Sequence, residues 1–156
     1  MQLKTTTDYA IRILVYLADR RGGIASSAEL ARAMGIPQKY LLRVGGVLRD
    51  AGYLTAHAGV RGGYSLAVPA RSIRLGDVVE LMEGTVKLNR CLEEDGYCSR
   101  GGTRHCPVHQ CYQVMQEKWE NFLYGLTIEE MTTGLERSAV EGRIHRRRGR
   151  AERPRV

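Results

Sequence analysis

No apolar run in this 156-residue sequence approaches the ~20 residues that a helix needs to cross a bilayer. No h-region of a secretory signal follows Met1; Gln2, Leu3 and Lys4 lead directly into an amphipathic segment. A cytoplasmic location with no membrane partner is therefore expected. The sequence also lacks a Walker loop, a dinucleotide-binding fingerprint and a nucleophile elbow. Neither catalysis nor a small-molecule substrate is expected. Cysteine is scarce: the four present, Cys91, Cys98, Cys106 and Cys111, fall within one stretch. In a reducing compartment such a group reads as metal-binding or redox-active, not as a disulfide framework.

What is present is an ordinary globular composition, 43% hydrophobic and 26% charged, whose charges are unevenly placed. Residues 1–74 hold 11 Lys and Arg against 4 Asp and Glu, residues 75–142 hold 6 against 12, and residues 143–156 hold 7 against 1. The first block has the basic balance that a nucleic-acid-binding face requires, whereas the acidic middle does not suit tracking of phosphates. The basic tail has almost no apolar residues and is expected to be disordered. The expected organisation is a DNA-binding domain over 1–84, a cysteine-bearing loop over 85–111, a dimerisation helix with a short terminal helix over 112–136, and the tail over 137–156.

Along the chain, Tyr9, Ala10, Ile13, Leu14, Leu17 and Ala18 mark a first amphipathic helix, capped by Thr6 or Thr7 and stopped at Arg20-Arg21-Gly22-Gly23. Ser26 and Glu29 have capping-box spacing and open a short second helix that Gly35 ends. Ile36-Pro37 opens a third, with Tyr40, Leu41, Val44, Val47 and Leu48 as its inward stripe. Two short helices joined at a glycine, behind a first packing helix, form a helix-turn-helix pattern. The outward face of the third helix then carries Gln38, Lys39, Leu42, Arg43, Gly45, Gly46 and Arg49. It has little acid, Gln, Lys and Arg for base edges and phosphates, and Leu42 for a thymine methyl. The plain alternative is a packed helical hairpin with no DNA role. Two strand-like runs, Tyr53–Ala58 and Tyr64–Ala67, flank Gly59-Val60-Arg61-Gly62-Gly63, a wing whose tip places Gly59 and Arg61 against DNA. A fourth helix, with Leu75, Val78, Val79 and Met82 inward and Asp77, Glu80 and Glu83 solvated, stops at Gly84. The longest helical signal follows the cysteines. Tyr112, Met115, Trp119, Phe122 and Leu126 recur at 3-4-3-4 spacing, a heptad seam suited to pairing with a second copy. Such a dimer sets two recognition helices roughly 34 Å apart, one turn of DNA. The fold class is therefore mainly α with a small β-hairpin: a winged helix-turn-helix with a long C-terminal dimerisation helix.

The cysteine stretch reads Cys91-x6-Cys98-x7-Cys106-x2-His109-x1-Cys111. It has no Cys-x2-Cys knuckles of the kind that build zinc ribbons. Three spaced thiolates and a histidine suit an iron–sulfur cluster, and Arg90, Arg100 and Arg104 are placed to acidify thiols. On chemistry alone, a cluster, a zinc site and a cluster-free thiol switch all remain open.

The combination of Leu3-Lys4-Thr5, Asp8-Tyr9-Ala10, the wing Gly59-Val60-Arg61-Gly62-Gly63-Tyr64, Leu75-Gly76-Asp77-Val78-Val79 and Asn89-Arg90-Cys91…Cys98…Cys106-Pro107-Val108-His109 resembles the iron–sulfur-sensing winged-helix regulators of the IscR and NsrR type. The resemblance covers roughly residues 1–134. It implies a homodimeric transcriptional repressor whose affinity for double-stranded operator DNA follows iron–sulfur status, redox state or nitric oxide. It implies Cys91, Cys98 and Cys106 as ligands of a cluster, 2Fe–2S in preference to 4Fe–4S. It offers two fourth ligands: His109, as in the IscR branch, or Asp8 supplied by the other subunit, as in the NsrR branch. The cysteine intervals are longer than is usual in the family, so the loop geometry is expected to differ. Leu42 stands where the IscR branch carries a discriminating Glu, so a different base code is expected. A cluster-free thiol-redox regulator is the runner-up, and a zinc-binding protein-interaction module the third reading.

Overall fold

The computed structural model describes residues 2–59, 62–102 and 105–134. Arg61 at the wing tip, Arg104 and the tail over 137–156 lie outside these residues. Six helices and one hairpin make up the described chain, in the order α1 (Thr5–Asp19), α2 (Ser27–Met34), α3 (Gln38–Asp50), β1 (Leu54–His57), β2 (Gly63–Leu66), α4 (Leu75–Glu83), α5 (Pro107–Gly125) and α6 (Ile128–Thr132). This is the mainly helical winged-helix fold expected from the sequence.

The start of α1 is held differently from the expectation. The flanking residue is Lys4, and neither Thr6 nor Thr7 caps the helix with its side chain. Thr7 is fully buried, and its hydroxyl donates to the carboxylate of Glu83. The same carboxylate accepts the Lys4 backbone N–H at 2.8 Å. Glu83, expected on a solvated face, thus supplies negative charge across space to the positive end of α1. The Ser26 cap forms as expected, its hydroxyl accepting the Glu29 N–H at 3.1 Å. Glu29 does not close the box; its carboxylate accepts from the Tyr16 hydroxyl at 2.8 Å and pairs with Arg20.

In α3, Leu41, Val44, Gly45 and Leu48 face inward at i, i+3, i+4 and i+7, which already completes a buried stripe. Tyr40 and Val47, expected inside, are exposed (45% and 36%). Gly45, expected on the outer face, is buried because the Tyr64 ring crosses over it: a Cβ there would lie 2.8 Å from Cζ of that ring. Strands β1 and β2 pair antiparallel, with Leu54 opposite Leu66 and His57 opposite Gly63. Ala25 and Tyr64 exchange backbone hydrogen bonds of 3.0 and 2.9 Å, which ties the hairpin to the α1–α2 turn.

Two hydrophobic clusters result. The first joins α1, α2, α3 and α4 through Ile13, Leu14, Leu17, Leu30, Leu41, Leu48 and Val78, and takes in Ile128 from α6. Each fully buried aliphatic side chain here contributes about 1.5–3 kcal/mol. The second is smaller: Leu75, Val79, Val86, Leu123 and Leu126, with Trp119 and Phe122 against them. A backbone pairing closes the join. Leu75 N–H donates to the Leu126 carbonyl at 2.8 Å, and Ile128 N–H to the Ile73 carbonyl at 2.9 Å.

The seam of α5 is turned from its expected setting. Gln116 and Leu123 are its buried residues, with Trp119 between them, so this side faces the chain's own core. Met115, expected in the seam, is half exposed, as are Val108 and Val114.

Candidate nucleic-acid interface and candidate metal centre

On α3 the outward residues are Gln38, Lys39, Tyr40, Leu42, Arg43, Val47 and Arg49. The helix begins at Gln38 because Pro37 fixes the preceding turn without needing an N–H. Gln38 donates to the Ser27 hydroxyl at 3.1 Å, linking α3 to the start of α2. Arg49 is engaged by its neighbour Asp50 through Nε (2.9 Å) and Nη2 (2.7 Å). Lys39, Leu42 and Arg43 form the outer face near the helix N-terminus, with Leu42 half exposed. Beside them Tyr40 packs edge-on against Tyr9 of α1, ring centroids 6.1 Å apart. Gly59 turns the chain toward the wing tip with a φ of 99°.

The cysteine loop is anchored at its entry and folds back on α5. Asn89 accepts the Cys91 N–H at 3.4 Å and opens a short 3-10 turn, Arg90–Leu92. Cys106 flanks the start of α5, and Pro107 takes its first position. His109, one turn in, brings Nδ1 to 3.4 Å from Cys91 Sγ. Cys91, Cys98 and Cys106 are half-buried and Cys111 is exposed; all four are free thiols. Backbone hydrogen bonds from Gly102 and Arg100 hold the Cys98 thiol below the ordinary range, and the Arg100 charge adds to them. Arg90 is drawn off by Asp95, in a two-pronged pair whose outer arm is 2.6 Å, and lies over the Tyr97 ring.

Of the donors expected at a metal, the structure brings Cys91 and His109 together. Among the described residues no three His, Cys, Asp or Glu side chains gather into a ligand set. Asp8 lies half exposed on α1, where it pairs with Arg12 at 2.7 Å. The donor chemistry, three thiols and the imidazole at the start of α5, fits a thiophilic metal group.

A family model described as "Rrf2: Iron-dependent Transcriptional regulator" matches residues 3–134, most of the chain. This chain is an Rrf2-family transcriptional regulator. A protein of Aquifex aeolicus assigned as an HTH-type transcriptional regulator is 30% identical over 131 residues, spanning 84% of this chain and 91% of that protein. Two solved structures share the fold. The global cysteine regulator CymR (YrzC) of B. subtilis superposes with a TM-score of 0.71 at 22% identity, over 87% of this chain and 99% of that one. IscR of T. potens superposes with a TM-score of 0.66 at 24% identity, over 88% and 90%. Rrf2 proteins are regulators of transcription, not enzymes, and binding to DNA follows from that membership. No helix among the described residues is long and apolar enough to cross a membrane.

Sequence reasoning missed two features of this Rrf2 chain. Tyr40 belongs to the outer face of α3, and the completed stripe Leu41-Val44-Gly45-Leu48 is the signal that could have shown it. Gln116 is buried at the centre of α5. Its spacing of seven from both His109 and Leu123 was the available signal, hidden because a polar residue does not register in an apolar pattern.

Proposed function

We propose that this Rrf2 regulator is a cytoplasmic homodimeric repressor that senses iron–sulfur status, redox state or nitric oxide through a cluster on residues 85–111. Cys91, Cys98, Cys106 and His109 would hold the group, with Asp8 of the other subunit as the alternative fourth ligand. The observation that carries this reading is the Cys91–His109 approach at 3.4 Å, which joins the first cysteine of the loop to the helix behind the last. The family's description as iron-dependent supports the same class of metal. When bound, an iron–sulfur group supplies a centre that gains or loses electrons and reacts with oxidants. The chain's own residues do the rest. Cys91 and His109 tie the loop to α5, and the backbone pairing at Leu75 and Ile128 ties α5 to the winged helix. Gln38, Lys39, Leu42 and Arg43, with Arg49, Gly59 and Arg61, would meet the operator. The exposed α5 side with Val114 and Met115 would meet the second copy, within a dimerisation segment spanning 112–136.

The test is anaerobic purification with visible absorption and iron and sulfide assays, paired with binding to the chain's own promoter DNA. Visible absorption lost on Cys91→Ala, and DNA affinity changed by bleaching, are the expected results. His109→Ala and Asp8→Ala compared for spectrum and decay identify the fourth ligand. A colourless protein without iron or sulfide would sink the cluster reading. In that case a cluster-free thiol-redox switch is the alternative, read as DNA binding altered by mild oxidant and restored by thiol. Zinc uptake without any effect on DNA binding would instead support the protein-interaction reading.

A further inference from the structure

Between the second core and Cys91 the chain runs beside α5, and one buried side chain holds it there. Gln116 is only 6% exposed. Its Nε2 donates to the Val86 carbonyl at 3.1 Å and to Glu120 at 2.9 Å, while its Oε1 accepts the Leu88 N–H at 2.8 Å. The amide thus treats residues 86 and 88 as a neighbouring strand would, giving to one and taking from the other. Lys87, between them, reaches Glu120 at 2.8 Å, and the Val86 side chain is buried in the second core. Three consecutive residues are therefore fastened to α5, and Cys91 follows three residues after the last.

His109 lies seven residues before Gln116 on the same helix. Seven residues are close to two turns, so both side chains leave one face of α5, about 10 Å apart along its axis. One takes hold of the backbone before Cys91; the other lies 3.4 Å from the Cys91 sulfur. A leucine at position 116 would suit the seam between His109 and Leu123, but would leave the Val86 carbonyl and the Leu88 N–H without these partners.

We propose that Gln116 is a positioning residue that sets Cys91 against His109 and passes any displacement of the cysteine loop to α5. The inference deepens the cluster reading and rests on it for its meaning in sensing, but the placement itself can be measured without metal. Gln116→Met keeps the side-chain length and removes both backbone hydrogen bonds. Gln116→Glu combined with Glu120→Gln keeps the acceptor for Leu88, loses the donor to Val86 and avoids setting two carboxylates 2.9 Å apart. In full-length, metal-free protein, hydrogen exchange over residues 86–92 is expected to speed up by roughly tenfold or more in Gln116→Met and by less in the Gln116→Glu, Glu120→Gln double variant, with α3 and α4 unchanged.

The second readout is the His109 ring resonances. Cys91→Ala should shift them in the wild-type background, and the shift should vanish in Gln116→Met. Unchanged exchange over 86–92 overturns the proposal. So does faster exchange with the ring response intact, because Gln116 would then only fill the fold. If Gln116→Met also opens α4, the Gln116→Glu, Glu120→Gln double variant decides by the same two criteria. Wild-type protein that takes up no iron or sulfide sinks the cluster reading alone, and the metal-free measurements still decide the role of Gln116.

Discussion

Tyr124 sits so close over Gly76 that a methyl group on the glycine would fall 2.4 Å from Cδ1 of the ring. The Tyr124 hydroxyl donates to Glu80 at 2.6 Å, one turn further along α4. The C-terminal end of α5 is thereby fixed to α4 at two successive turns. Gly76→Ala should destabilise the protein by about 1–3 kcal/mol through overpacking, more than offsetting the ~1 kcal/mol that alanine gains in a helix. Urea unfolding checks this. In Tyr124→Ala the same glycine change should become neutral or stabilising, and strict additivity of the two would contradict the contact.

Gly45 and Gly46 are adjacent in α3 but meet different surroundings. A Cβ at Gly45 meets Tyr64 at 2.8–3.1 Å, whereas one at Gly46 meets nothing within 4 Å. Gly46→Ala should therefore raise stability by up to about 1 kcal/mol from helix propensity. Gly45→Ala should lose stability, since the ring must move off the helix and pull on β2. Thermal melts of the two variants should lie on opposite sides of the wild type.

The Glu83 carboxyl gives a pH dependence with a defined sign. Burial pushes its pKa up, but hydrogen bonds from the Thr7 hydroxyl, the Lys4 N–H and the Lys4 ammonium outweigh this and hold it below the ordinary value. A group whose pKa is lower in the folded state contributes stability above its unfolded pKa, about 4.3 for Glu. That contribution is lost as the pH falls through the lower folded value. Glu83→Gln should cost roughly 1.5–3 kcal/mol at pH 7, the range for hydrogen bonds to a charged group. The gap to wild type should narrow as the acid limb is descended. Urea midpoints from pH 7 to pH 3 test it; a gap that does not change with pH would show that the carboxylate charge is not what holds α1.

Much of this architecture could be read from local pattern. The α1 stripe, the Ser26 cap and the glycine stops at Gly35 and Gly84 are all decided by residues near one another in sequence. The features that were not legible are those where a distant group intervenes. Thr7 did not cap its own helix because Glu83, seventy-six residues away, had taken its hydroxyl. Gly45 turned inward because a tyrosine from the wing required the space. The α5 seam faced its own domain because Gln116, polar and therefore outside any apolar pattern, had backbone partners at Val86 and Leu88. In the candidate metal centre the donor residues stand in the sequence, but which of them lie together does not follow from spacing: among the described residues Cys91 and His109 meet, a contact that the proposed role of Gln116 accounts for.

The placement of α6 bears on how the chain is made. Ile128 is fully buried in the same cluster as Leu14 and Leu17, and α6 lies on α1. Helix α1 is thus completed by α6, across more than a hundred residues of intervening chain. Contacts so far apart in sequence form late. A nascent chain that ends at the wing or at α4 lacks one wall of its core, and α3 stands on an unfinished support. Removing α6 should therefore loosen the helix-turn-helix itself, although the cut falls beyond the cysteines.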